Sequence, residues 1–204
     1  MLVLKGGILL DSIEYYNSHS EEYYENTINI NMQEFWDRFT QMLPDGGSVL
    51  DLGCGSGRDS AYFISQGFDV TALDGSKELC HLASIHIGQE VLNLKFSEID
   101  FDEVFDGIWA NASLLHVPRI EMESVLSKVI KSMKVDGILY MSFRYGDGEE
   151  MEDGRYFTNF RTKSLKDLIN KFHEIELIEI RKSHDVLPDR DTIWLYALVR
   201  KVSN

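Results

Sequence analysis

Proline and cysteine are scarce, at three and two among 204 residues. So few prolines leave no proline-rich linker to divide the chain, and no internal repeat divides it either. Cys54 and Cys80 form neither a disulfide framework nor the paired spacing of a zinc site. They read as reduced thiols of a cytoplasmic protein with no metal. A run of about 20 apolar residues, the length a membrane helix needs, is missing as well. The opening MLVLKGGILL is apolar but broken by Lys5-Gly6-Gly7 and closed by Asp11. Without a small-residue cleavage site it reads as a short strand or leader rather than a signal peptide. Positive charge is also in short supply: 20 Lys and Arg stand against 34 Asp and Glu, for a net charge of −14. With no Lys/Arg cluster to offset it, this surface repels polyanions and disfavours a nucleic-acid partner.

What is present is a hydrophobic content of 44%, enough for the core of one domain spanning 1–204. Residues 12–43 read as helical, ending in a stripe of Met32, Phe35, Trp36, Phe39 and Met42. From there strands and helices alternate. SVLDL (48–52), FDVTALD (68–74), FDGIWAN (105–111) and GILYMSF (137–143) read as strands, and VLNLKFSEID (91–100) contains another. Helices fall at 58–67, at 76–87 and along Met122, Val125, Leu126, Val129, Ile130 and Met133. A last helix is expected from Ser164, with Asp167 completing a capping-box pattern and Leu165, Leu168, Ile169 and Phe172 facing inward. EIELIEI (174–180) and TIWLYALV (192–199) alternate at strand period with no helix between them. The pattern predicts an α/β, Rossmann-like sheet of seven strands, mostly parallel with an antiparallel last strand and helices on both faces. Residues 164–201 would supply the final helix and the antiparallel pair.

In such sheets ligands sit beyond the C-terminal strand ends, at the first strand–helix turn. Here that turn is Gly53-Cys54-Gly55-Ser56-Gly57, and Asp74 closes the second strand, where a carboxylate can hold a ribose diol. The spacing is G-x-G-x-G, one residue shorter than the dinucleotide fingerprint, and a P-loop pattern is absent. Asp51, two residues before the first glycine, suits an ammonium and repels a pyrophosphate. Arg58, opening the helix, is placed to meet a carboxylate. An adenosine with a sulfonium and an amino-acid tail fits all three features.

VLDLGCGSG, VTALDGS and SEIDF resemble the first three motifs of the class I S-adenosylmethionine (SAM)-dependent methyltransferases, over roughly residues 45–145. The resemblance makes 45–145 a SAM-binding core, with S-adenosylhomocysteine (SAH) as product. It implies that Asp51, Gly53, Cys54, Gly55, Ser56, Gly57 and Arg58 frame the methionine tail and that Asp74 and Gly75 meet the ribose. Asp100 would take the adenine amino group and Phe101 would offer its amide to the ring. Asn111, Ala112 and Ser113 would lie beside the transferable methyl.

WANASLLHVPR (109–119) lacks the Asn/Asp-Pro-Pro-Tyr/Phe signature of enzymes that methylate exocyclic amines or glutamine amides. Its ASLLHVP run is similar to small bacterial methyltransferases of the tellurite-resistance type and to small-molecule O- and S-methyltransferases. His116 is the candidate general base. Two polar-aromatic stretches, YYNSHSEEYYEN (15–26) and RYGDGEEMEDGRYF (144–157), read as lids over the site. The first belongs to an N-terminal helical lid (12–43) and the second to a substrate-side loop (144–160). Tyr16 and Tyr24 are the expected SAM contacts, and Arg144, Arg155 and Tyr156 the expected substrate contacts. The expected activity is methyl transfer to a small-molecule acceptor, by a monomer or homodimer. A tRNA or protein methyltransferase and a non-catalytic SAM-binding regulator are the alternatives, with an NAD-dependent oxidoreductase more distant.

Overall fold

The computed structural model describes residues 12–187 and 190–203; the opening MLVLKGGILL lies outside the described residues. Seven strands form one sheet: β1 (Ser48–Leu52), β2 (Asp69–Asp74), β3 (Leu92–Asn93), β4 (Phe105–Ala110), β5 (Met133–Arg144), β8 (Ile175–His184) and β9 (Ile193–Lys201). Their order is β3-β2-β1-β4-β5-β9-β8. The first five pair in parallel, while β9 runs antiparallel to both its neighbours. The antiparallel pair inferred from the helix-free connection is therefore present. Buried apolar runs such as Val49-Leu50 and Leu139–Met141 reflect a sheet covered on both faces.

On one face lie α3 (Gln33–Thr40), α4 (Arg58–Ser65) and α5 (Lys77–Ile87). Trp36 and Phe39 of α3 and Phe63 of α4 pack there with Trp109 and Tyr140. On the other face, α6 (Arg119–Ser132) and α7 (Thr162–Ile169) meet Ile108, Leu139 and Phe143. The α6 stripe of Met122, Val125, Leu126, Val129 and Ile130 is buried as its spacing predicts. Each such side chain contributes roughly 1.5–3 kcal/mol by leaving water.

Several boundaries differ from the sequence reading. β3 has two residues, because Phe96–Glu98 turns into a single 3₁₀ turn. α7 starts at Thr162, two residues ahead of Ser164, whose hydroxyl instead accepts from the Arg161 N–H at 3.0 Å within the first turn. The stretch at 144–157 is not a loop. It ends β5 and folds into an antiparallel ribbon of β6 (Glu149–Glu152) and β7 (Arg155–Thr158), turned by Asp153 and Gly154 at positive φ. Residues 15–26 are helical, as read from the sequence, and lie along α1 (Ser12–Ser18) and α2 (Ser20–Thr27). Among the described residues no helix is long and apolar enough to cross a membrane, and no metal-binding group of three His, Cys, Asp or Glu is found.

Candidate functional site

The loop after β1 is a tight turn stitched to β2: the N–H groups of Gly53 and Cys54 both donate to the Leu73 carbonyl at 2.9 Å. Gly53 and Gly55 have φ of +78° and +57°, a region that side chains resist. Space is restricted as well. A Cβ on Gly53 would stand 2.5 Å from Ser113 Cβ, and one on Gly55 3.0 Å from the Tyr23 ring. Asp74 accepts from the Gly55 N–H at 3.0 Å and the Ser76 N–H at 2.8 Å, so it ties the loop to the start of α5. Burial raises its pKa even so.

Behind the loop lie two buried carboxylates. Asp51 accepts from Ser60 Oγ at 2.6 Å, and burial, reinforced by Asp59, lifts its pKa to about 8. No cation meets it directly among the described residues. Asp59, unmarked in the sequence reading, is the most heavily bonded acid of the site. It accepts from the indoles of Trp36 at 3.0 Å and Trp109 at 2.8 Å, from Asn111 Nδ2 at 3.3 Å, and from Arg58 through both oxygens. Burial would raise its pKa, but Arg58 and these donors outweigh burial and hold it down. Arg58 is thus engaged within the protein, at 2.7 Å from Asp59, rather than turned toward a ligand carboxylate. A carboxylate next to Arg58 in sequence was the available signal; its indole partners arrive from α3 and β4 and have no local pattern.

The exit of β4 closes the opposite wall. Ala112 has φ +51°, held there because its N–H donates to Ser142 Oγ at 2.8 Å, which in turn donates to Asn111 Oδ1 at 3.0 Å. Ser113 Oγ is buried beside Gly53 with no hydrogen-bond partner. Asn111, Ala112 and Ser113 therefore lie together at the exit of β4, on the glycine-loop side of the sheet.

Asp100 does not. Its side chain is 88% exposed and pairs with Lys131 at 3.4 Å, near the last turn of α6 and away from the C-terminal strand ends. Phe101 packs edge-on against Phe105, with ring centroids 5.1 Å apart. Because β3 ends at Asn93, the aromatic residue that reaches the glycine loop is Phe96, 3.2 Å from the Cβ position of Gly53. The assignment of Asp100 and Phe101 comes from the likeness of SEIDF to the third motif, and both lie beyond the 3₁₀ turn Phe96–Glu98.

Helices α1 and α2 cover the loop. Ile13 lies against Gly75, and Asn17 accepts from Ser76 Oγ at 2.8 Å. At the other end, Ser12 Oγ accepts from the Tyr156 N–H at 2.9 Å. Tyr16 meets Tyr23 edge-on at 5.1 Å and bonds His116 Nε2 at 2.9 Å. Tyr24 instead faces His86 on α5, with centroids 6.1 Å apart, and Tyr23 takes the place over Gly55. Helical period explains the exchange: seven residues bring Tyr23 onto the face of Tyr16, whereas Tyr24 falls about 100° away.

His116 Nδ1 stands 2.7 Å from the Tyr156 carbonyl, which can only accept, so Nδ1 holds the proton. Nε2 then accepts from the Tyr16 hydroxyl. Burial, with Arg155 and Arg144 in the same sense, lowers the His116 pKa to about 4, and burial raises that of Tyr16 to about 12. With both nitrogens engaged within the protein, His116 presents no free ring nitrogen. Tyr156 contributes its backbone, while its hydroxyl turns outward to Glu149 at 2.5 Å. Arg144 and Arg155 stack on Phe157 and Tyr15 respectively, at 3.7 and 4.8 Å.

Residues 49–137 match the family model described as a methyltransferase domain. The chain is 28% identical over 99 residues to a ubiquinone biosynthesis O-methyltransferase of Rickettsia typhi, covering 46% of this chain and 39% of that protein. It is 26% identical over 146 residues to an uncharacterized methyltransferase of Staphylococcus carnosus, covering 67% and 70%. Among solved structures it is similar to the 1,6-didemethyltoxoflavin-N1-methyltransferase of Burkholderia thailandensis with its substrate and SAH bound. The TM-score is 0.75 at 22% identity, over 98% of this chain and 94% of that one.

Proposed function

We propose that the chain is a class I SAM-dependent methyltransferase that methylates a small-molecule oxygen, sulfur or similar nucleophile, a reading supported by the methyltransferase-domain match and the shared fold. The observation that supports this reading most directly is Asp51: a buried carboxyl beside the glycine loop, protonated near neutrality for want of a cation. Such a group fits the ammonium of an amino-acid tail. When bound, SAM supplies a methyl group made electrophilic by its sulfonium.

The chain's own residues then have distinct tasks. Asp51 takes the ammonium, and the Gly53–Gly57 turn admits the tail without side chains in the way. Asp74, after accepting from two backbone N–H groups, retains lone pairs for a ribose diol. Phe96 lies against the loop on the adenine side. Ser113 Oγ, buried and unpartnered, is available to a bound group at the transfer point. Tyr16 and Tyr23 cover the loop and exclude water, so orientation and dryness do most of the work.

Calorimetry with SAM and SAH, followed by labelled methyl transfer to metabolite, RNA and protein pools, tests the proposal. Binding of both nucleosides and label in the low-mass pool are expected. Failure of both to bind overturns it, and label in RNA or protein moves the acceptor to that class.

A further inference from the structure

Arg144 and Arg155 enter one small volume from β5 and β7. The guanidinium carbons lie 3.7 and 5.4 Å from the centroid of the same ring, that of Phe157, and the His116 ring stands 5.0 Å from it. Phe157 is 3% exposed, so two like charges approach one buried ring from different strands. Both also disfavour protonation of His116.

Each has one acidic neighbour at the solvent edge. Glu152 meets Arg144 at 2.5 Å with its side chain 50% exposed, and Asp153 stands 3.9 Å from Arg155 and is 78% exposed. The Nε of each arginine is buried without a hydrogen-bond partner among the described residues. An orphaned buried donor is costly, and each of these two arginines carries one. In a chain of net charge −14 these two arginines are a local gathering of positive groups. His116 adds no charge to it, since its Nδ1–H is held by the Tyr156 carbonyl and its Nε2 by Tyr16. An anion placed between the guanidiniums removes the repulsion and satisfies the orphaned donors, and the planar fork of arginine favours a carboxylate-like oxyanion.

We propose that the methyl acceptor is a small anion, seated by a carboxylate or similar oxyanion between Arg144 and Arg155 next to Tyr16. The proposal rests on the methyltransferase reading above.

Benzoate and its neutral isostere benzamide, titrated into the SAH-saturated protein, form the test. Benzoate is expected to bind at least tenfold more tightly than benzamide. R144Q and R155Q should each weaken benzoate at least tenfold and leave benzamide unchanged, while R155K recovers part of the loss. SAH affinity and the circular dichroism spectrum should match the unmodified protein, which separates a lost anion seat from a lost fold. Equal binding of the two probes, retention of benzoate by both Gln variants, or no benzoate binding to the SAH-loaded protein overturns the anion seat. If SAH itself does not bind, the cofactor reading fails instead, and the benzoate–benzamide difference in the free protein still decides the seat.

Discussion

At the scale of single residues, two titrations oppose each other. Asp51 has a folded pKa near 8, above its unfolded value, so the stability its protonated form confers is complete at low pH and is lost as pH rises toward 8. D51N should therefore raise the melting temperature of the free protein at pH 8. The same substitution should weaken SAH binding at least tenfold and abolish the release of about one proton on binding at pH 7, read from the buffer dependence of the calorimetric enthalpy. His116 behaves inversely. Its folded pKa of about 4 lies below the unfolded 6.5, so the stability of the neutral buried ring is intact above pH 6.5 and declines as pH falls to 4. The loss amounts to at most about 3 kcal/mol over that interval. Relative to H116Q, the unmodified protein should lose stability more steeply between pH 6.5 and 4 in urea denaturation; parallel curves would refute the shift.

At the scale of elements, the decisive joint is between α1–α2 and the strand ends. Y16F removes the bond to His116 and should cost about 0.5–1.5 kcal/mol, with faster amide exchange in residues 12–27 than elsewhere. G55A forces a side chain into positive φ and against Tyr23, so it should loosen α2 and lower SAH affinity. How far these elements were legible in the sequence depended on the range of the forces that set them. β1, the glycine turn and the α6 stripe are specified by neighbours a few residues apart, and their periodicity placed them. The ribbon β6–β7 escaped notice because its β6 strand, Glu149–Glu152, is exposed and has no apolar alternation. Asp100 was misplaced because its assignment rests on the likeness of SEIDF to a family motif, and a two-residue β3 offers almost no period to check the alignment against. Tyr23 could have been preferred to Tyr24 by counting two helical turns from Tyr16. The links from Asp59 to Trp36 and Trp109 span 23 and 50 residues, and only the packed sheet brings those indoles together.

At the scale of the whole molecule, a net charge of −14 spreads self-repulsion over the surface, and salt should relieve it. The melting temperature is expected to rise between 20 and about 300 mM sodium chloride, a range over which the Debye length shrinks severalfold. A fall would mean that specific ion pairs dominate instead.

The anchoring of α1 also imposes an order on biosynthesis. Ser12 is fastened to a residue 144 positions later and Asn17 to one 59 positions later. At about 5–20 residues per second, a ribosome delivers the second of those anchors roughly ten seconds after the helix itself has emerged. Throughout that interval Tyr16 and Tyr23 have no finished surface to cover. Helix α1 is thus among the last elements to reach its place, and a nascent chain halted before β7 would hold its glycine turn uncapped.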